Sequence, residues 1–119
     1  MSNLIASRIA DFLKRYPPFD GLHSADLDKL SLAAVVKYFS ADDYVFHQGD
    51  VKSELLYIVK EGVVHLERQE DDQIILVDIC DEGDLFGVRA MLTGKSYVFH
   101  ARCPEECLIY GVPIALFKP

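Results

Sequence analysis

Leu55-Leu-Tyr-Ile-Val-Lys-Glu-Gly-Val-Val-His-Leu66 is two apolar runs joined by a Glu-Gly turn. The first run, ending at Lys60, has the length and β-branched and aromatic content of a strand, and Val63–Leu66 reads as a second. The same rhythm continues on both sides. Upstream, Val36-Lys-Tyr-Phe39 meets the polar Ser40-Ala-Asp-Asp43, and Tyr44-Val-Phe-His47 meets Gln48-Gly-Asp50. Downstream, Gln69–Asp72 is a polar turn before Ile74–Ile79, and Asp81-Glu-Gly-Asp84 is another turn. Tyr97–Arg102 and Leu108–Val112 read as strands flanking Cys103-Pro-Glu-Glu-Cys107, which reads as a hairpin connection. Strands spaced by about 8–12 residues with Gly and Asp turns predict an antiparallel sandwich or barrel. Gly49, Gly62 and Gly83 fall at turns where positive φ suits glycine, and Asp50 and Asp84 follow directly to bond turn amides.

The first 35 residues read differently. Leu4, Ile5, Ile9, Phe12 and Leu13 recur at helical spacing, and Pro17-Pro18 stops that helix. Ser24 is predicted to cap a second helix, with Asp26 and Asp28 in its first turn and Leu27, Leu30, Ala34 and Val35 as its buried stripe. Leu85–Gly94 interrupts the strand rhythm, and Arg89-Ala-Met-Leu92 predicts one turn of helix. The free N–H groups at its start suit an anion, water or neighbouring carbonyls.

Composition sets the bounds. The 119 residues make one domain, with 50% hydrophobic and 26% charged residues, which excludes a disordered chain. Lys+Arg number 12 and Asp+Glu 19, a net charge of -7, which disfavours general binding to phosphate backbones. No apolar run reaches the ~18–20 residues of a membrane span, and the N-terminus lacks a secretion-signal pattern. Three cysteines, Cys80, Cys103 and Cys107, form an odd, sparse set that suits a reducing, cytoplasmic location. His23, His47, His65 and His100 contain no His-x-His pair for a cupin-type metal. His100-x-x-Cys103-x-x-x-Cys107 supplies three local ligands without a fourth, so the cysteines read as structural. No hydrolase triad, Walker loop or HExxH motif is present, and Glu70-Asp-Asp72 reads as a solvated turn. The chain is expected not to be an enzyme.

Three passages together resemble the cyclic nucleotide-binding domain family, of the catabolite-activator and kinase-regulatory-subunit type. Tyr44–Asp50 is similar to its aromatic–Gly–acid segment, Leu55–Leu66 to its strand–Gly–strand signature, and Glu82-Gly-Asp-Leu-Phe-Gly87 to the approach to its phosphate-binding cassette. The resemblance spans about Pro18 to Pro113. It implies a mainly β fold: a double-stranded β-helix, or jelly-roll barrel, with N-terminal helices and a short helix in the cassette. Residues 1–35 would be the helical segment and 36–113 the β-roll.

The family's cassette carries Gly-Glu, an apolar–Ala–apolar run, and later an Arg followed by a small residue. The Glu accepts from the ribose 2′-hydroxyl, and the Arg pairs with the cyclic phosphate. Here Gly87, where the family's ligand approaches the backbone, precedes Val88 instead of Glu. Arg89 takes an apolar position, Ala90 and Met91 fit, and Tyr97-Val98 stand where the Arg and small residue belong, with Lys95 the nearest cation. Hydrogen bonds to charged groups are worth about 1.5–3 kcal/mol each, so losing both weakens binding by about 3–5 kcal/mol, several hundredfold or more. Arg89 has two readings: a pair with Glu82 or Asp84 or a place in solvent, or a reach to a phosphate from another direction. Tyr97 also has two: its ring fills the purine's cavity, or its hydroxyl contacts another ligand.

The candidate ligand site is therefore Phe86, Gly87, Val88, Arg89, Ala90, Tyr97 and Val98, with no catalytic or metal-ligating residue assigned. The expected function is a regulatory small-molecule sensor with a degenerate cassette that does not bind cyclic AMP or cyclic GMP tightly. No cofactor is assigned, and the resemblance implies a cyclic nucleotide or another anionic nucleotide as ligand. The alternatives are a ligand-independent interaction or dimerisation domain, and the effector domain of a transcription regulator, which would need a helix-turn-helix that this chain lacks. Tyr16-Pro-Pro-Phe-Asp20 and Val36-Lys-Tyr-Phe39 resemble bacterial signal-transduction proteins in which such a domain precedes CBS domains and a nucleotidyltransferase-like region. Those domains and a second copy in a homodimer are the expected partners, with no direct nucleic acid and no membrane. Pro113–Pro119 is too short for the family's closing helix, so the chain is expected to be a piece of a longer protein.

Overall fold

A computed structural model describes residues 3–116; the ends of the chain, Phe117–Pro119 of the tail included, lie outside the described residues. Helices α1 (Leu4–Leu13) and α2 (Ser24–Ala33) lead into strands β1 (Val35–Phe39), β2 (Tyr44–Phe46), β3 (Leu55–Glu61), β4 (Val64–Glu70) and β5 (Gln73–Cys80). Then follow β6 (Leu85–Phe86), α3 (Val88–Thr93), β7 (His100–Arg102) and β8 (Cys107–Pro113). The strands form two four-stranded sheets, β1-β8-β3-β6 and β2-β7-β4-β5, every pair antiparallel. The mainly β jelly-roll expected from the sequence is the fold observed.

The continuous apolar run of β3 has a simple cause: the strand is covered on both faces. Leu56 and Ile58 pack with Ile9, Phe12, Leu13 and Leu30 of the helices. Tyr57 and Val59 face the other way, into the space between the sheets, with Phe46, Phe86, Tyr97 and Ile109. β8 splits likewise, with Tyr110 and Val112 in the helical layer and Ile109 inside. A half-exposed strand would need polar residues at alternate positions.

Several expectations change at this level. Leu4 and Ile5 are exposed, and α1 buries Ala6, Ile9, Ala10, Phe12 and Leu13 instead. The working stripe is the i, i+3, i+4, i+7 set beginning at Ala6; Leu4 lies off it, and Ile5 sits in the uncovered first turn. Asn3 caps α1 by accepting the Ala6 N–H at 3.0 Å. Ser24 is the first helical residue of α2, not its cap, because the Leu27 N–H already bonds the His23 carbonyl. Val35 belongs to β1 and is partly exposed, so it is not part of the α2 stripe, whereas Leu27 and Leu30 are buried. Of the strand predicted over Tyr97–Arg102, only His100–Arg102 forms. The Tyr97 backbone instead pairs with the preceding turn, through Tyr97 N–H to Asp50 O and Gly49 N–H to Tyr97 O. Cys103–Cys107 is not a hairpin: β7 and β8 lie in different sheets, and the link crosses between them.

The turns behave as read. Gly49, Gly62 and Gly83 have φ of 93°, 95° and 89°, and the Asp50 and Asp84 carboxylates accept the His47 and Asp81 N–H groups at 3.0 Å. Gly62 is further constrained, since a Cβ there would lie 2.7 Å from the Glu106 carbonyl. Arg102 forks onto buried Glu67 at 3.1–3.2 Å and reaches Asp42 at 3.0 Å, tying β7 to β4 and to the Ser40–Asp43 turn. Tyr16 lays its ring against Gly83 and donates to Glu82 at 3.2 Å, joining the helical segment to the turn before β6.

All three thiols are free and buried, and burial pushes those of Cys80 and Cys103 up to about 12. At pH 8 such a thiol is thiolate in only roughly one molecule in ten thousand. Both are therefore expected to resist Ellman's reagent until the protein is unfolded. Below about pH 9 both folded and unfolded thiols are protonated. Above it the unfolded chain releases protons that the folded one holds, so each thiol makes stability fall as pH rises from about 9 toward 12. Urea melts between pH 8 and pH 11 check the slope.

Candidate functional site

β6 ends at Phe86, and Gly87 turns the chain with φ 81° into α3, which closes at Gly94 with φ 71°. The six-residue helix is one residue longer at each end than the predicted turn Arg89–Leu92. Between α3, β6, β2, β4 and the loop before β7 lies a cavity of about 150 Å³. All seven predicted site residues line it: Phe86, Gly87, Val88, Arg89, Ala90, Tyr97 and Val98. Phe46, Leu66, Leu85 and Phe99 complete the wall.

Tyr97 decides the character of this cavity. Its ring is buried and stacks on Phe46, with centroids 3.6 Å apart and planes 4° from parallel. Its hydroxyl accepts the Ser53 N–H at 3.0 Å and lies 3.2 Å from Ser53 Oγ. Ser53 Oγ in turn meets the Tyr57 hydroxyl at 3.2 Å and accepts the Leu55 N–H at 3.1 Å. Burial raises the Tyr57 hydroxyl above the ordinary tyrosine range, so it stays a neutral hydrogen-bonding group. Of the two readings of Tyr97, the ring lies in the interior and the hydroxyl is held by protein groups. The space above Gly87 is also protein: a Cβ there would sit 3.5 Å from both the Phe46 and Tyr97 rings. Positive φ, rather than clearance alone, is what requires glycine at this position.

Val88 is partly buried and brings no carboxylate to the site. Arg89 is exposed at the rim and makes no ion pair among the described residues. Of the readings open for Arg89, the pair with Glu82 or Asp84 does not form and the side chain is solvent-exposed: Glu82 accepts from Tyr16, and Asp84 caps its own turn. Val98 is exposed at the cavity wall, and Ala90 is buried. His100 turns away from the cysteines, its Nδ1 accepting the Gln48 N–H at 3.0 Å, while Cys107 donates to the Val63 carbonyl at 3.0 Å.

Phe46, Leu66, Leu85, Phe99 and Ser53 were not among the predicted site residues. Phe46 carried a usable signal, as the inward member of the Tyr44-Val-Phe alternation before a glycine turn. Ser53 carried none, since its role depends on Tyr97, 44 positions away.

The model of the family described as "Cyclic nucleotide-binding domain" matches residues 36–118. Among solved structures, the regulatory domain of PKA from Toxoplasma gondii, crystallised with cAMP, superposes with a TM-score of 0.85 at 23% identity. That match covers 98% of this chain and 44% of the other. The sensor domain of the transcriptional regulator DNR from Pseudomonas aeruginosa gives a TM-score of 0.85 at 19% identity, covering 94% of this chain and 75% of that one. The regulatory subunit of a cAMP-independent protein kinase A from Trypanosoma cruzi, bound to guanosine, gives a TM-score of 0.82 at 25% identity, with 96% and 42% covered. The chain thus spans less than half the length of the kinase regulatory structures it matches.

Proposed function

This chain belongs to the cyclic nucleotide-binding domain family, and from that premise we propose that it is a non-catalytic sensor module whose cassette does not hold cyclic AMP or cyclic GMP tightly. The observation that carries the reading is the buried Tyr97 ring, stacked on Phe46 where the family's cassette presents its phosphate-binding arginine. Val88 removes the acceptor for the ribose hydroxyl, so neither polar handle of a cyclic nucleotide has its partner. The Trypanosoma cruzi neighbour supports the idea that this fold serves regulation without cyclic AMP.

We read the domain as the N-terminal part of a longer signalling chain carrying CBS and nucleotidyltransferase-like regions, on the resemblance of Tyr16–Asp20 and Val36–Phe39. The three free thiols suit a cytoplasmic setting. Among the described residues no helix is long and apolar enough to cross a membrane.

Calorimetric titration with cyclic AMP and cyclic GMP tests the proposal. Dissociation constants near or above about 1 mM are expected, on the order of -4 kcal/mol. A constant below about 10 μM for either nucleotide overturns it.

A further inference from the structure

The cavity has a size, a wall and a rim, and each restricts what it can take. Its volume of about 150 Å³ is that of an apolar cavity that accepts one benzene ring. A ribose, a purine and a cyclic phosphate together need far more room. The wall is carbon, with Phe46, Phe86 and Phe99 supplying aromatic surface and Leu66 aliphatic surface. The Tyr97 hydroxyl commits its proton to Ser53 Oγ and accepts the Ser53 N–H. Arg89 is the one ionisable side chain among the lining residues apart from that hydroxyl, and it stands at the rim without an acidic partner among the described residues. In a chain with 19 acidic and 12 basic residues, an arginine without an acid beside a greasy cavity is a place for an anion from outside.

We propose that the cassette cavity binds a compact aromatic carboxylate, its ring among Phe86, Phe99 and Leu66 and its carboxylate on the Arg89 guanidinium. The inference rests on the reading of this cavity as a sensor's ligand site. Aromatic walls favour a ring over an alkyl chain of equal size, through edge-to-face and offset contacts. The guanidinium fork fits a carboxylate with two parallel hydrogen bonds. The carboxylate stays at the solvent edge, so it avoids the cost of burying a charge.

The test uses the ¹⁵N-labelled chain titrated with benzoate and phenylacetate, and with benzyl alcohol as the neutral counterpart. Benzoate or phenylacetate is expected to shift the amide signals of Val88–Ala90 and Val98–Phe99 saturably, and to bind at least about tenfold more tightly than benzyl alcohol. Arg89→Gln, at an exposed position where folding is not at stake, is expected to reduce the carboxylates to the level of the alcohol and leave the alcohol unchanged. Equal binding of acid and alcohol, or carboxylate affinity unaltered in Arg89→Gln, overturns the inference. So does the absence of any shift with both acids; with cyclic AMP equally silent, the weak-cassette reading still stands. Micromolar binding of cyclic AMP overturns that reading instead.

Discussion

Replacing Val88 by Glu, Tyr97 by Arg and Val98 by Ala together is expected to convert the domain into a cyclic AMP binder. Each of the first two changes returns a contact that the family's cassette makes. Glutamate at 88 supplies an acceptor for the ribose hydroxyl, and arginine at 97 supplies the cation for the phosphate. At about 1.5–3 kcal/mol per charged hydrogen bond, the pair is worth about 3–5 kcal/mol, a tightening of several hundredfold or more. Removing the tyrosine ring also clears the space against Phe46 that it now occupies, and Val98→Ala widens the mouth. The variant has a cost without ligand. It loses the ring stack and the Ser53 hydrogen bond, and it places a charge near an apolar wall. Its melting temperature is therefore expected to fall below that of the parent and to recover when cyclic AMP is added. Calorimetry reads the affinity and a thermal melt reads the recovery. A folded triple variant with no measurable binding would show that something other than these positions excludes the nucleotide.

Phe46→Ala is expected to cost about 3–5 kcal/mol of stability, the usual loss for truncating a buried aromatic ring. Phe46 is 7% exposed and touches three other rings: Tyr97 at 3.6 Å between centroids, and Tyr57 and Phe86 at 6.0 Å each. Its removal leaves one face of Tyr97 without a partner and joins the vacated volume to the neighbouring cavity. For a domain of this size the loss corresponds to roughly 10–20 °C in melting temperature. Val51→Ala is the control, because Val51 is 85% exposed and should change stability by less than about 0.5 kcal/mol. Urea denaturation of both variants gives the comparison, and a loss under about 1 kcal/mol for Phe46→Ala would mean that the ring stack is not a structural core.

The parts of this fold that were legible in the sequence are those determined by neighbours along the chain. The β3 run, the glycine turns with their following aspartates, and the short helix after Gly87 all depend on residues a few positions apart. Pairing across the molecule left no such trace. Tyr97 reads as the start of a strand until the turn at His47–Asp50 takes its backbone groups. Leu4 and Ile5 are apolar near the start of α1, but Leu4 lies off the buried stripe, and only the reach of the neighbouring elements leaves Ile5 outside the core. Cys103–Cys107 has the length of a hairpin, yet it crosses between sheets because β7 and β8 find different partners. At the site, seven of the eleven lining residues were readable because the cassette is contiguous but for one short loop. Phe46 and Ser53 come from distant segments and complete the site only after folding.

The two-sided cover of β3 has a mechanical consequence. A one-residue slip of this seven-residue strand would exchange its inward and outward side chains, sending Leu56 and Ile58 into the barrel and Tyr57 and Val59 toward the helices. Both layers forbid it at once. β3 is thus the fixed datum of the molecule, from which the helices are set on one side and the aromatic cluster on the other.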